Sequence, residues 1–185
     1  MGRKSTPKRS ADRLKLSAEV AWYLDDRGLP WPSCPPSVKT PEPVDVDGCE
    51  FHPDRVDRVL RAFGQLVHTQ GEWAGRPLTP DPWQVAYLIA PVYGWVREND
   101  RGRMVRTVRT AYVDVPRKNG KTTLAGGQAM YLTGGDGEEG AQVYAVAAAK
   151  DQARYCYDPV KAIAERSPGL APHVKVTRDR IIHKR

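Results

Sequence analysis

Val115-Pro116-Arg117-Lys118-Asn119-Gly120-Lys121-Thr122-Thr123 is the stretch on which the reading of this chain turns. It ends the apolar run Thr110-Ala111-Tyr112-Val113-Asp114-Val115 and opens a helix-prone run from Lys121 to Thr133. Gly-Lys-Thr between a strand and a helix is the core of a phosphate-binding loop. Backbone N–H groups and one ammonium surround the terminal phosphates there, at a helix end that already favours anions. The full pattern wants a glycine at position 115, and Val115 stands there instead.

Each loop position carries its own chemistry. Gly120 lets the backbone approach a phosphate with no side chain in the way. Lys121 supplies a point charge for the terminal phosphates, and the Thr122 hydroxyl is a magnesium ligand. Arg117 lies four residues before Lys121; it is planar and always charged, and it suits a γ-phosphate on which charge develops. Lys118, Asn119 and Thr123 complete the expected nucleotide-binding set, with Arg117 and Lys121 as the catalytic pair. Upstream, Asp81-Pro82 reads as a helix start, with Asp as cap and Pro in the first turn. Gln84 follows in that turn, and its amide can match the N6 and N7 edge of adenine.

The rest of the pattern frames the loop. Residues 1–17 read as a disordered basic tail, and residues 18–53 as a Pro-rich arm that holds a short helix at 18–26. Six prolines between Gly28 and Pro43 exclude regular structure there. Val56, Val59, Leu60, Phe63, Leu66 and Val67 recur at helical spacing and predict an amphipathic helix over 54–69. A helix from Trp83 to Ala90 should be ended by Pro91 and Gly94. Residues 93–97 and 104–108 should pair as a hairpin across a polar tip. Residues 142–147 form the next predicted strand, and Asp151 onward the next helix, kinked or re-capped at Asp158-Pro159. Short strands are expected at 174–176 and 181–182. Gly126 and Gly127 cost the helix after the loop about 1 kcal/mol each relative to Ala, but let it pack closely on a sheet. Strand, loop, helix, strand, helix and strand in this order predict an α/β fold: a doubly wound sheet of the P-loop NTPase type over 54–185, incomplete at its C-terminus.

Composition narrows the class. The chain has 185 residues and a net charge of +7, long enough for one domain with a core. Arg3, Lys4, Lys8, Arg9, Arg13 and Lys15 crowd the first sixteen residues against Asp12 alone; such a tail suits nucleic acid phosphates or is simply a solvated leader. No apolar window is long enough for a membrane span, and no apolar segment behind the basic start makes a secretory signal. Cys34, Cys49 and Cys156 have neither disulfide nor metal spacing, and a sparse, odd count suits a reducing cytoplasm. His52, His68, His173 and His183 lack metal-ligand spacing.

Taken together, Pro82-Trp83-Gln84, Tyr93-Gly94-Trp95, the run from Arg109 through Thr123, the segment 131–141, the run Gln142 to Ala153 and Ser167-Pro168-Gly169-Leu170 resemble the ATPase domain of the large terminase subunit of tailed bacteriophages. The similarity covers about residues 54–185. In that family the Walker A loop lacks its first glycine and carries a basic residue four before the lysine, so Val115 and Arg117 become expected features. The resemblance implies ATP and Mg²⁺ as cofactors, translocation of double-stranded DNA into a procapsid, and work in the host bacterial cytoplasm beside a small terminase subunit and a portal protein. It gives Gln84 to adenine, Lys121 and Thr122 to phosphate and Mg²⁺, and Arg117 to triggering hydrolysis. Gln152 falls in a segment resembling a helicase motif.

Hydrolysis by this scheme needs an apolar run ending in Asp-Glu, the Walker B element. Asp136-Gly137-Glu138-Glu139 follows Thr-Gly-Gly and reads as a solvated turn. The expectation is therefore an N-terminal part of a larger enzyme, inactive alone, with a separately encoded C-terminal terminase part as one further partner. A split gene, an interrupted frame and a truncation all fit. An open sheet edge would favour aggregation. Two other classes compete. A non-catalytic module would hold DNA or a partner through the basic tail and Arg97, Arg101, Arg103, Arg106 and Arg109. A small nucleotide kinase would need an acceptor site and a lid that the sequence does not supply.

Overall fold

The computed structural model describes residues 8–138 and 140–184, and within them the chain is mixed α/β. The chain divides into two compact units. The first takes in Met1–Asp57 and Asp81–Val113, the second Arg58–Pro80 and Asp114–Arg185.

The first unit begins with α1 (Lys8–Arg13) and α2 (Ala18–Asp26). Ser17 caps α2 by accepting from the Val20 N–H at 3.2 Å, which satisfies one orphan donor of the first turn. Leu14 and Leu16 are buried. The expected disordered tail is thus corrected over residues 8–17: two leucines at i, i+2 give the segment an apolar anchor. Residues 1–7 lie outside the described residues.

Three strands, β1 (Cys49–Phe51), β2 (Trp95–Glu98) and β3 (Met104–Arg106), form an antiparallel sheet in that order. Phe51 lies opposite Trp95, and Val96 opposite Arg106. The expected hairpin is present. Tyr23, Phe51 and Trp95 stack edge to face, with centroids 6.0 and 5.5 Å apart. The irregular segment between α2 and β1 is held by Glu42. Its carboxylate accepts from Ser17 Oγ at 2.7 Å, Lys39 Nζ at 2.6 Å and Trp95 Nε1 at 2.8 Å.

Of the two expected stops, the helix that starts at Pro82 passes Pro91 and ends at Gly94. After α4 (Pro82–Gln84) the chain continues in π-helical turns, Val85–Gly94, with Pro91 inside and buried. The wider i→i+5 turn takes up a residue that lacks an N–H and crowds the carbonyl four residues back.

The helix α3 (Pro53–Gly64) starts in the first unit and ends in the second. It is five residues shorter at its C-terminal end than the periodicity suggests, because Val67 leaves it to bridge Pro77. In the second unit α5 (Lys121–Met130) runs on in π-helical turns to Gly135. The helix α6 (Lys150–Arg166) is continuous through Pro159, so neither a kink point nor a second cap divides it. A hairpin of β4 (Val174–Val176) and β5 (Ile181–His183) closes the described chain. Gly126 and Gly127 do permit close packing, against side chains of helices rather than a sheet. A Cβ on Gly126 would meet Ile163 and Val160 of α6, and one on Gly127 would meet the Phe63 ring of α3.

The predicted parallel sheet is not formed among the described residues. Both sheets are antiparallel, and residues 110–115 and 142–147 lie outside any strand. Tyr112 is 92 % exposed and Val146 89 %. Strand formers become strands only where a neighbour supplies the ladder, and neither hairpin offers one to these two runs. No described helix is long and apolar enough to cross a membrane.

Candidate phosphate-binding loop

The loop 115–120 leads straight into α5, so the unpaired N–H groups of a ten-residue helix face it. Gly120 is the residue before the helix and adopts φ 66°, ψ 15°, the left-handed region where a side chain is disfavoured. Two residues earlier Lys118 has φ 67° without being a glycine, a conformation that costs of order 1 kcal/mol and collects at ligand-binding turns. A glycine in this place is what the sequence leads one to expect of a left-handed turn; the bend at Lys118 has no sequence signature.

Two side chains close the loop on itself. Lys121 Nζ donates to the Val115 carbonyl at 2.6 Å. The Asn119 amide nitrogen donates to the carbonyls of Pro116 and Arg117, each at 3.3 Å. Valine at the position of the missing glycine therefore contributes its backbone oxygen, which no rule about side chains anticipates. Arg117, Lys118, Asn119, Lys121 and Thr122 are all exposed, and Thr123 is half-buried.

These groups suit a phosphate. A cationic ammonium sits on one carbonyl and is free to exchange it for a stronger acceptor. The helix N-terminus adds partial positive charge, and the Gly120 backbone has no side chain to obstruct approach. The Thr122 hydroxyl, exposed in the first turn of α5, has the hard oxygen that magnesium takes.

Gln84 belongs to the first unit, the loop to the second. Gln84 is 5 % exposed, and its Oε1 accepts from the Asp81 N–H at 3.0 Å. That bond returns the side chain onto the start of its own helix, a capping role, and leaves the amide nitrogen as the group for another partner. Gln152 is exposed in the first turn of α6. Among the described residues no group of histidine, cysteine and carboxylate side chains has the arrangement of a metal site, and all three cysteines are free.

Residues 82–185 match the family described as the terminase large subunit, ATPase domain. Comparisons with curated proteins and with solved structures return no match. The matched segment takes in Gln84, the whole loop and α6, and it covers more than half of the chain. The chain belongs to the terminase large subunit family, through its ATPase domain.

Proposed function

We propose that the chain binds ATP through residues 115–123 and contributes to the motor that drives double-stranded DNA into a bacteriophage procapsid. One observation carries the nucleotide assignment: Gly120 takes a left-handed conformation at the N-terminus of α5, with the Lys121 ammonium at the loop carbonyl of Val115. Lys121 would leave Val115 for the terminal phosphates, the N–H groups of the first turn would hold phosphate oxygens, and Thr122 would hold magnesium. Magnesium, when bound, neutralises phosphate charge. Arg117, exposed at the bend, would meet charge that develops on the γ-phosphate. The resemblance supports Gln84 as an adenine contact, with its amide nitrogen as the remaining donor. The family further supports a doubly wound P-loop sheet in the complete motor, a small terminase subunit, a portal protein and a separately encoded C-terminal part as partners, and the host bacterial cytoplasm as the place of action.

A fluorescent ATP analogue titrated into the chain with Mg²⁺ tests the proposal. Lys121→Ala should weaken binding at least about tenfold, the scale of one lost charge-assisted contact. Equal affinity of the wild type and Lys121→Ala would reject the loop as the site. No apolar run in the sequence ends in Asp-Glu, so the chain alone should release phosphate at background rate. Robust release that depends on Lys121 would reject that part.

A further inference from the structure

We infer that the β2–β3 hairpin is a contact surface for the phosphate backbone of double-stranded DNA. Between residues 97 and 109 the chain carries Arg97, Arg101, Arg103, Arg106 and Arg109 against Glu98 and Asp100 only. In an unstructured segment such charges would be spread over many conformations. Here Arg97, Arg101, Arg103 and Arg106 sit on an ordered ribbon, and Arg109 follows it in an irregular segment. β2 and β3 pair with Val96 opposite Arg106 and Glu98 opposite Met104.

The tip between the strands is fixed by one side chain. Asn99 Oδ1 accepts from the backbone N–H groups of Arg101 and Arg103, both at 3.0 Å, and the Asn99 N–H donates to the Arg103 carbonyl at 2.9 Å. Gly102 supplies the left-handed residue that the turn requires, at φ 69°. Arg101 and Arg103 thereby flank Gly102 in the turn that joins the two strands, and both are exposed. The base of the hairpin is anchored as well. Val96 is fully buried, and Arg55 donates to the Met104 carbonyl at 2.9 Å.

Not all five arginines serve the same end. Arg106 lies over the Tyr93 ring, 5.4 Å from its centroid, and so has a role inside the unit. Arg97, Arg101, Arg103 and Arg109 are exposed, and among the described residues none of them is paired with a carboxylate. Three of these guanidinium groups, those of Arg97, Arg101 and Arg103, sit on the paired ribbon and its turn, so the backbone that spaces them is already ordered on folding. Guanidinium forks match phosphate oxygens. A duplex offers about one charge per 1.7 Å of its axis, a density that the side-chain carboxylates of a folded protein do not reach. This favours DNA over an acidic protein face. The contacts are to phosphates, so binding is independent of sequence.

The inference rests on DNA being the polymer of the proposed motor, and not on nucleotide binding. The test is binding of the full chain to a short mixed-sequence DNA duplex over a range of salt concentrations, without nucleotide. The variants are the doubly substituted Arg101→Gln/Arg103→Gln, the charge-preserving Arg101→Lys/Arg103→Lys, and Lys121→Ala. Each phosphate contact contributes about −0.9 to the slope of log affinity against log salt. The Gln variant should flatten that slope by about 2, so that a fourfold rise in salt costs it roughly tenfold less affinity than it costs the wild type. The Lys variant should keep the slope. The basic N-terminal segment is present in every variant and cancels from the comparison. An unchanged slope in the Gln variant would overturn the inference and assign binding elsewhere. So would no salt-dependent binding by the wild type, or tighter Arg101- and Arg103-dependent binding of a polyglutamate peptide than of the duplex. Lys121→Ala should bind DNA as the wild type does; loss of nucleotide binding in that variant with DNA binding intact separates this surface from the phosphate loop.

Discussion

Trp95 and Glu42, 53 positions apart, meet through one hydrogen bond, the indole Nε1 donating to the carboxylate Oε2 at 2.8 Å. The same oxygen accepts from Ser17, which in turn caps α2, and the other oxygen takes the Lys39 ammonium. One carboxylate thus ties the cap of a helix, the Pro-rich segment and the central strand of the sheet. Its side chain is only 4 % exposed and that of Lys39 12 %.

Glu42→Ala should therefore destabilise the chain by about 3 kcal/mol, because it leaves a largely buried ammonium and an indole N–H without acceptors. Glu42→Gln keeps an acceptor for Trp95 and should cost less. Urea unfolding followed by tryptophan fluorescence reads both. A midpoint unchanged in Glu42→Ala would mean that the irregular segment is not held at this point.

Gly126 and Gly127 are neighbours with opposite tolerance. A Cβ at Gly127 falls inside van der Waals contact with three Phe63 ring atoms, the farthest at 2.9 Å, and Phe63 is 2 % exposed and cannot retreat. Overpacking of about 1–3 kcal/mol should outweigh the helix propensity gained, and Gly127→Ala should lower the melting temperature. At Gly126 the nearest atoms are the Ile163 Cδ1 at 3.1 Å and the Val160 Cγ2 at 3.3 Å, ends of side chains that can give. Gly126→Ala should be close to neutral. Calorimetry of the two variants side by side makes the comparison.

Ser167 is fully buried, and its Oγ accepts from the Val67 N–H at 3.0 Å, a hundred positions away. Removing the hydroxyl strands a backbone donor. Ser167→Ala should cost about 1–3 kcal/mol, and Ser167→Thr, which keeps the oxygen, should cost less if the extra methyl finds room. Chemical denaturation of the pair distinguishes a lost hydrogen bond from lost space.

The Tyr87 hydroxyl lies 3.0 Å from the Leu14 carbonyl and 3.1 Å from that of Cys34 and donates toward both. Burial, with a smaller contribution from Cys34, pushes its pKa from 10.0 up to about 12. In the fold Tyr87 keeps its proton after the unfolded chain has lost it. The native state then binds more protons, so the contribution of this group to stability is full below about pH 10 and declines as the pH rises through about 12. An ultraviolet titration should show late tyrosinate absorbance that is reduced in Tyr87→Phe, with Tyr157, whose pKa burial also raises, accounting for what remains.

What the sequence displays and what it withholds divide along the range of the interactions. The hairpin from Trp95 to Arg106 is legible because β-formers flank a polar tip with Asn and Gly, all within a dozen residues. The start at Asp81-Pro82 and the helix from Pro53 are legible for the same local reason. Gly94 ends the helical turns as its residue type suggests, whereas Pro91 misleads, because the rule that proline ends a helix assumes α geometry, and the chain takes a wider turn. Residues 110–115 and 142–147 have the composition of strands, but pairing is decided by residues far away in sequence. At the loop, the turn at Gly120 into a helix that starts at Lys121 is readable from residue type and spacing. The contact of Lys121 with the Val115 carbonyl is one to the backbone and leaves no mark on residue type.

The two unpaired runs make the chain its own reporter. The amides of 110–114 and 142–147 have no ladder to protect them, whereas Val96 and Arg106 face each other within one. In deuterium oxide those two runs should exchange at nearly the rate of a free peptide while the hairpin stays protected. A partner strand that pairs with the run at Tyr112 or at Val146 would slow exchange in that run, so the moment of pairing can be timed residue by residue without any label.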